Sequence, residues 1–304
     1  MELLSDTNYL KQYANLHLHS THSDGEYSPS ELVHIAKKEG YKALALTDHD
    51  TVSGVKELIS TCKKEGMECV TGVEFTCTGF GEAFHVTGLD FDIEDKNIQD
   101  YCACMAERET FRTKTLFELG IKKGRIKNVT WEEVQQHHPG ISWLCVDHVF
   151  RTLVNKGILT MYNYREFYDA NFGHGPEFQF VYKEMPHRIY EVQEVIDLIN
   201  NAGGVAVLAH GHNQLQCVPE LVEMGLKGIE VWHDLMTPEE RCEAVNLAQK
   251  YNLYISGGTD HGGKLGGLDK FDPEGKIYGK YNHLPLMYGT SEINFNALKK
   301  RIYG

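Results

Sequence analysis

Three histidines and an aspartate crowd into the stretch HLHSTHSDG, His17–Gly25. Imidazoles and carboxylates are the side chains that hold first-row divalent metals, so the crowding raises the question of a metal site. In NLHLHS the two-residue period of an extended chain puts Leu16 and Leu18 on one face and His17 and His19 on the other. Two imidazoles placed this way can converge on one cation, although a half-buried strand with incidental histidines accounts for a lone H-x-H just as well. The rest of the chain shifts the balance. Asp48 and His49 close one apolar run, Glu74 follows VTGV, His85 opens HVTG, His210 ends VAVLAH, and Asp260 with His261 ends ISGGTDH. A strand-end aspartate often caps the next helix, but metal-type residues at the ends of so many strands mark the edge where α/β folds build their sites.

The elements that must carry these residues alternate. ANLHLHS leads into PSELVHIAKKEG, with Ser28 as a candidate N-cap, Pro29 at the first helical position and Gly40 after the end. ALALTD (43–48) precedes the helical GVKELISTCKKEG, and the apolar runs 68–77 and 83–92 follow. Later, VAVLAH, GIEVWH and LYISGGTD (253–260) are separated by helical patterns. Repeated βα units predict a parallel sheet, open or closed into a barrel. The stretch from about 100 to 188 breaks the rhythm with successive helices and reads as an insertion over one end of the α/β part. This divides the chain into an α/β domain, residues 1–99 and 189–304, and a helical insertion, 100–188.

Bulk properties narrow the function classes. The 304 residues are 41% hydrophobic and 24% charged, enough for a large core, and the formal net charge is −13. Such a surface disfavours a long nucleic-acid duplex, which is held through many Lys and Arg contacts. A small anionic substrate stays open if bound cations invert the field locally. No apolar run reaches the roughly 20 residues needed to span a bilayer. Eight scattered cysteines without a C-x-x-C pair, and an N-terminus without a secretory pattern, predict reduced thiols in a cytoplasm.

At these residues the sequence resembles the PHP family, named for polymerase and histidinol phosphatase. The segments HLHSTHSDGEYSPSELVHIAKKEGYKALALTDHDTVSG, GVEF, FHVTGLDFD, AGGVAVLAHGH, GIEVWH and GGTDH carry the resemblance in the family's order. DHVFRTLVNKG and AERETFRTKTLFELG extend it, more loosely, to a subgroup with a helical insertion that acts on nucleotides or short oligonucleotides. The resemblance implies a distorted (β/α)7 TIM-like barrel and a phosphoesterase using two or three divalent metals (Zn, Mn or Fe) and a metal-bridged hydroxide. Carried over by position, His17, His19, Glu74 and Asp260 would hold the first metal. Glu74 would bridge to a second, completed by His85 and His210. Asp24 and His49 would hold a third, with a histidine from the last motif.

Two departures qualify this. The family's last motif is D-x-H, whereas Asp260 and His261 are adjacent here, and neighbouring strand residues face opposite ways unless the backbone turns. The second is AHGH, which lacks the proline the family shows after the ligand histidine and leaves His212 as a candidate extra site residue, against a solvated loop histidine. Val146-Asp147-His148 also stands where the family shows R-P-H, so the histidine is kept and the arginine is lost. His148 is a candidate phosphate contact or general acid, with a helix-start role as the plainer reading. Arg112 and Arg151 are candidate phosphate contacts, against solvated helix charges. Trp143, Phe150 and Phe180 are candidate base-stacking residues, against core. Glu230 reads as a partner for a site lysine or a ligand histidine, and His22 as a bystander. A non-catalytic metal- or nucleotide-binding module, a histidinol-phosphatase-like enzyme and C–N hydrolysis remain alternatives.

Overall fold

The computed structural model describes residues 12–233, 235–260 and 288–301. The chain runs β1 (Ala14–Asn15), α1 (Pro29–Glu39), β2 (Ala43–Ala45), α2 (Val55–Glu65), β3 (Glu68–Val70), β4 (Gly72–Gly79) and β5 (Glu82–Leu89). The helices α3 (Lys96–Lys122), α4 (Trp131–His137), α5 (Val146–Asn155), α6 (Tyr164–Asn171) and α7 (Val181–Glu184) come next. The βα rhythm then resumes with β6 (Tyr190–Glu191), α8 (Val192–Asn201), β7 (Val205–Leu208), α9 (Val218–Glu223), β8 (Gly228–Trp232), α10 (Pro238–Tyr251), β9 (Tyr254–Gly257) and α11 (Glu292–Leu298).

The fold is mixed α/β with parallel sheets. One sheet has the order β1-β2-β3, all parallel, and the other β6-β4-β5-β7-β8-β9. The second is not purely parallel, because β4 and β5 form an antiparallel hairpin closed at the Gly79–Glu82 pair. Its two turn residues, Phe80 and Gly81, have φ of 53° and 82°, the left-handed pair whose twist matches a two-residue hairpin. Apolar periodicity alone does not separate such a hairpin from two βα units.

Helix α1 begins as its sequence predicts. Ser28 accepts from the Glu31 N–H while Glu31 returns a bond to the Ser28 N–H, and Gly40 ends the helix at φ 99°. The α/β core gathers Val73, Phe75, Phe91, Val195, Ile199, Leu208 and Ile229. Helices α3–α7 bury a separate cluster, including Phe117, Trp131, Val149, Phe150, Phe167 and Phe172. Helix α3 joins the two: its first half, with Ile98, Tyr101 and Met105, packs in the α/β core, where the Tyr101 hydroxyl lies 2.6 Å from Asp50 Oδ1, and Leu116 and Phe117 pack in the second cluster. No helix among the described residues is long and apolar enough to cross a membrane.

Candidate metal centre

His17 and His19 leave the end of β1 on one face, while Leu16 and Leu18 are buried behind them. The loop after His19 is pinned by Asp48, which accepts from the Ser20 N–H, the Ser20 hydroxyl and the Ser23 hydroxyl at 2.6–2.7 Å. Asp48 therefore shapes the loop rather than facing the cluster. Gly25 is obligatory in that turn, since a Cβ there would lie 2.0 Å from the His19 carbonyl oxygen. The turn brings Asp24 Oδ1 back to 3.5 Å from His19 Nδ1 and 3.9 Å from His49 Nε2.

Glu74, fully buried on β4, is the hub. Its Oε2 lies 3.3 Å from His17 Nε2, 3.3 Å from His19 Nε2 and 3.1 Å from His49 Nδ1. Its Oε1 lies 2.8 Å from His85 Nδ1 and 2.9 Å from His210 Nε2. Asp260 Oδ1 closes the first group, 3.2 Å from His17 Nε2 and 2.9 Å from His19 Nε2. Ligand-capable atoms thus gather within 4.8 Å in overlapping groups: His17, His19, Glu74 and Asp260; His19, Asp24 and His49; His49, Glu74 and His85.

The electrostatics suit cations. His17 Nε2 and Glu74 Oε2 are buried and make no hydrogen bond among the described residues. Burial opposes charge on His17, but Glu230, Asp260 and Glu74 hold its pKa well above the usual imidazole range. Burial also opposes charge on His19 and His210, yet the Asp260 hydrogen bond and the nearby Glu74 carboxylate lift the first to about 10, and Glu74 lifts the second to about 9. Imidazoles in turn hold the carboxylates well below their usual range against burial: His85, His49 and His17 act on Glu74, and His17, His19 and His233 act on Asp260. Protons on imidazoles therefore occupy the role a metal would take. His49 differs: burial, aided by charge on His19, takes it down to about 4 despite Glu74, leaving it neutral as a ligand must be.

The PHP domain model matches residues 15–174. A 5'-3' exoribonuclease of Haemophilus influenzae is 31% identical over 82% of this chain and 89% of its own length. The chain belongs to the PHP domain family. Two further relatives share this PHP domain's length. A phosphoribosyl 1,2-cyclic phosphate 1,2-diphosphodiesterase of Eggerthella lenta is 27% identical over 83% of the chain and 95% of its own length. A Bifidobacterium adolescentis crystal structure assigned as a metal-dependent phosphoesterase superposes with a TM-score of 0.75 at 24% identity, over 94% of this chain and 95% of that one, a likeness of fold.

The remaining sequence candidates of this PHP domain fall in different places. Asp260 has φ 53° beyond the end of β9, so the backbone has left strand geometry there, and side-chain alternation does not extend through it. His261 lies outside the described residues. His148 is fully buried at the start of α5; its Nδ1 accepts from the Cys145 N–H at 3.0 Å and its Nε2 donates to the Thr21 carbonyl at 3.2 Å. With both nitrogens committed, it joins α5 to the Ser20–Gly25 loop instead of presenting a proton. Arg112 pairs with Glu109 at 2.9 Å, inside the insertion. Phe150 packs between Tyr164 and Phe167, Phe180 is partly exposed, and Trp143 stacks on His49 at 5.9 Å. His22 bonds Ser53 at 2.7 Å and His212 bonds Glu240.

His233 escapes a sequence reading. It is fully buried, its Nε2 lies 3.1 Å from Asp260 Oδ2, and it groups with His17 and Glu230. Strict alternation places it opposite Glu230, but a register shift between Glu230 and Trp232 brings both to the same side.

Proposed function

We propose that the protein is a metal-dependent phosphoesterase that hydrolyses phosphate esters of a nucleotide or short oligonucleotide. The observation that carries the reading is Glu74: its two oxygens face two different histidine sets, His17, His19 and His49 on one side and His85 and His210 on the other. A carboxylate so placed is a bridge between neighbouring cation positions.

His17, His19, Glu74 and Asp260 would hold the first metal, and Glu74, His85 and His210 the second. Asp24, His49 and His19 are grouped suitably for a third, for which His261 was a sequence candidate. The donors are nitrogen and oxygen, which suits Zn, Mn or Fe. Divalent cations held there would polarise phosphoryl oxygens and lower the pKa of water toward neutrality. The chain's own part is to fix the imidazoles: Glu230 orients His17 through Nδ1 at 2.8 Å, and His233 holds Asp260 from its far oxygen. Trp143 covers the His49 ring and limits water there.

The two sheets read together as a distorted (β/α)7 TIM-like barrel. Supporting this, the Leu16 N–H donates to the Gly257 carbonyl at 3.2 Å and the Asp260 N–H to the His17 carbonyl at 3.0 Å, across the gap between β1 and β9. Residues 100–188 act as a cap over the site. The relatives named above, a ribonuclease and a cyclic phosphodiesterase, support a nucleotide-like substrate. The test is release of phosphate or mononucleotide from a panel of nucleotides, 5'-phosphorylated oligoribonucleotides and sugar phosphates, with Mn or Zn supplied. Turnover that His17→Ala abolishes is the expected result; no turnover across metals and pH overturns the reading.

A further inference from the structure

Beside the metal centre lies a cavity of about 580 Å³ between the α1–α2 side of the α/β part and helices α4 and α5 of the insertion. None of the residues placed at the metals lines it. Thr21 and His22 do, so the loop that turns Asp24 toward His19 presents its earlier residues to this second space. Thr21 and Asp24 are three residues apart, at most about 10 Å along an extended chain.

Arg151 makes the cavity chemically specific. It is half-buried on α5, and its Nη1 and Nη2 are buried without a hydrogen-bond partner among the described residues. A guanidinium left in this state forfeits its hydrogen bonds and pays desolvation, and its planar fork matches a phosphate. The neighbouring imidazole does not compete for the anion as a cation: burial, with Arg151 adding, takes His138 down to about 4. Ile141, Val154 and Met161 supply an apolar wall. Two carboxylates also line the space, and Glu57 is engaged by the Ser30 N–H and hydroxyl at 3.1 and 2.6 Å. One arginine with carboxylates nearby favours a singly charged diester flanked by sugar hydroxyls over a free phosphate dianion. The volume suits a nucleotide-sized group.

We propose that this cavity is a subsite for the part of an oligonucleotide beyond the scissile phosphate, with Arg151 pairing an internucleotide phosphodiester. This rests on the phosphoesterase reading above and deepens it: the enzyme grips a chain, not a lone monoester.

The experiment compares the metal-loaded protein on 5'-phosphorylated adenylate mono-, di- and tetraribonucleotides, reading kcat and KM, and measures binding of a labelled tetranucleotide by anisotropy. Arg151→Met is expected to raise KM for the tetranucleotide about tenfold more than for the mononucleotide and to weaken tetranucleotide binding similarly. Arg151→Lys restores part of the loss. Because Arg151→Met removes a buried unpaired charge, its Tm should not fall, and His137→Ala provides a second probe of the same wall. Turnover with an Arg151→Met effect equal at all lengths, or absent, overturns the subsite alone. Failure of the wild type to turn over any of the three overturns the phosphoesterase reading, and the anisotropy arm then still decides the subsite: binding unaffected by Arg151→Met overturns it.

Discussion

Glu230 holds His17 and His210 at once: its Oε1 lies 2.8 Å from His17 Nδ1, and its Oε2 accepts the His210 N–H at 2.7 Å. A single buried carboxylate thereby fixes the ring that faces Asp260 and the backbone of the ring that faces the other side of Glu74. Outer partners of this kind typically cost roughly 10–100-fold in metal affinity when removed. Glu230→Ala should weaken the tightest metal by that order, read by competition against a chromophoric chelator. Unchanged affinity would show that His17 is oriented by its ligand neighbours alone.

Glu74→Gln should act on both positions together. An amide keeps the shape but loses the charge that both imidazole sets share, so bound metal should drop toward zero instead of by one equivalent. Metal analysis of the purified variant decides this. Loss of a single equivalent would mean the two oxygens serve independent sites.

Removing the metals should create a characteristic alkaline weakness. The folded pKa values of His19, about 10, and His210, about 9, lie above the ordinary 6.5, so their protonation stabilises the metal-free protein. That contribution is complete below pH about 6.5 and is lost as pH rises through 9 to 10. Metal loading displaces the same protons, so uptake at about pH 7.5 should release them into a weak buffer. A metal-free Tm that stays flat or climbs from pH 7 to 10 would refute this.

Gly258 sets how closely β9 approaches the first ligand. A Cβ there would lie 2.4 Å from the His17 nitrogen and 2.5 Å from its Cβ. Because backbone stands in the way, Gly258→Ala must displace the strand, costing about 1–3 kcal/mol. Denaturant unfolding should show that loss together with weakened metal binding. Destabilisation without any change in metal affinity would mean His17 moves as a unit with its ligands.

The period of two in NLHLHS was enough to pair His17 with His19: their rings lie 5.2 Å apart just beyond β1, and Leu16 and Leu18 are buried. The capping chemistry at Ser28, Glu31 and Gly40 was equally readable, being local. What escaped depended on departures from regular geometry or on tertiary partners. The register shift in β8 concealed His233, and the hairpin at Phe80–Gly81 sets β5 antiparallel to β4 where a parallel sheet was expected; the left-handed φ at Asp260 is the backbone turn that the sequence left open. His148 and Arg112 look alike in sequence as polar groups on insertion helices, and only their partners, Thr21 and Glu109, distinguish structural anchoring from a free functional group.

The centre also draws on both ends of the chain: His17 and Asp260 meet across 243 residues, and Ala14 pairs with Thr290 beside them. On the ribosome the first ligands must wait for 243 further residues before Asp260 arrives. A nascent chain short of Asp260 can bury its early helices but cannot assemble the first metal's ligand set, so metallation of that position follows the synthesis of Asp260. Cells starved of metal should therefore accumulate full-length apoprotein, not stalled or partly loaded fragments.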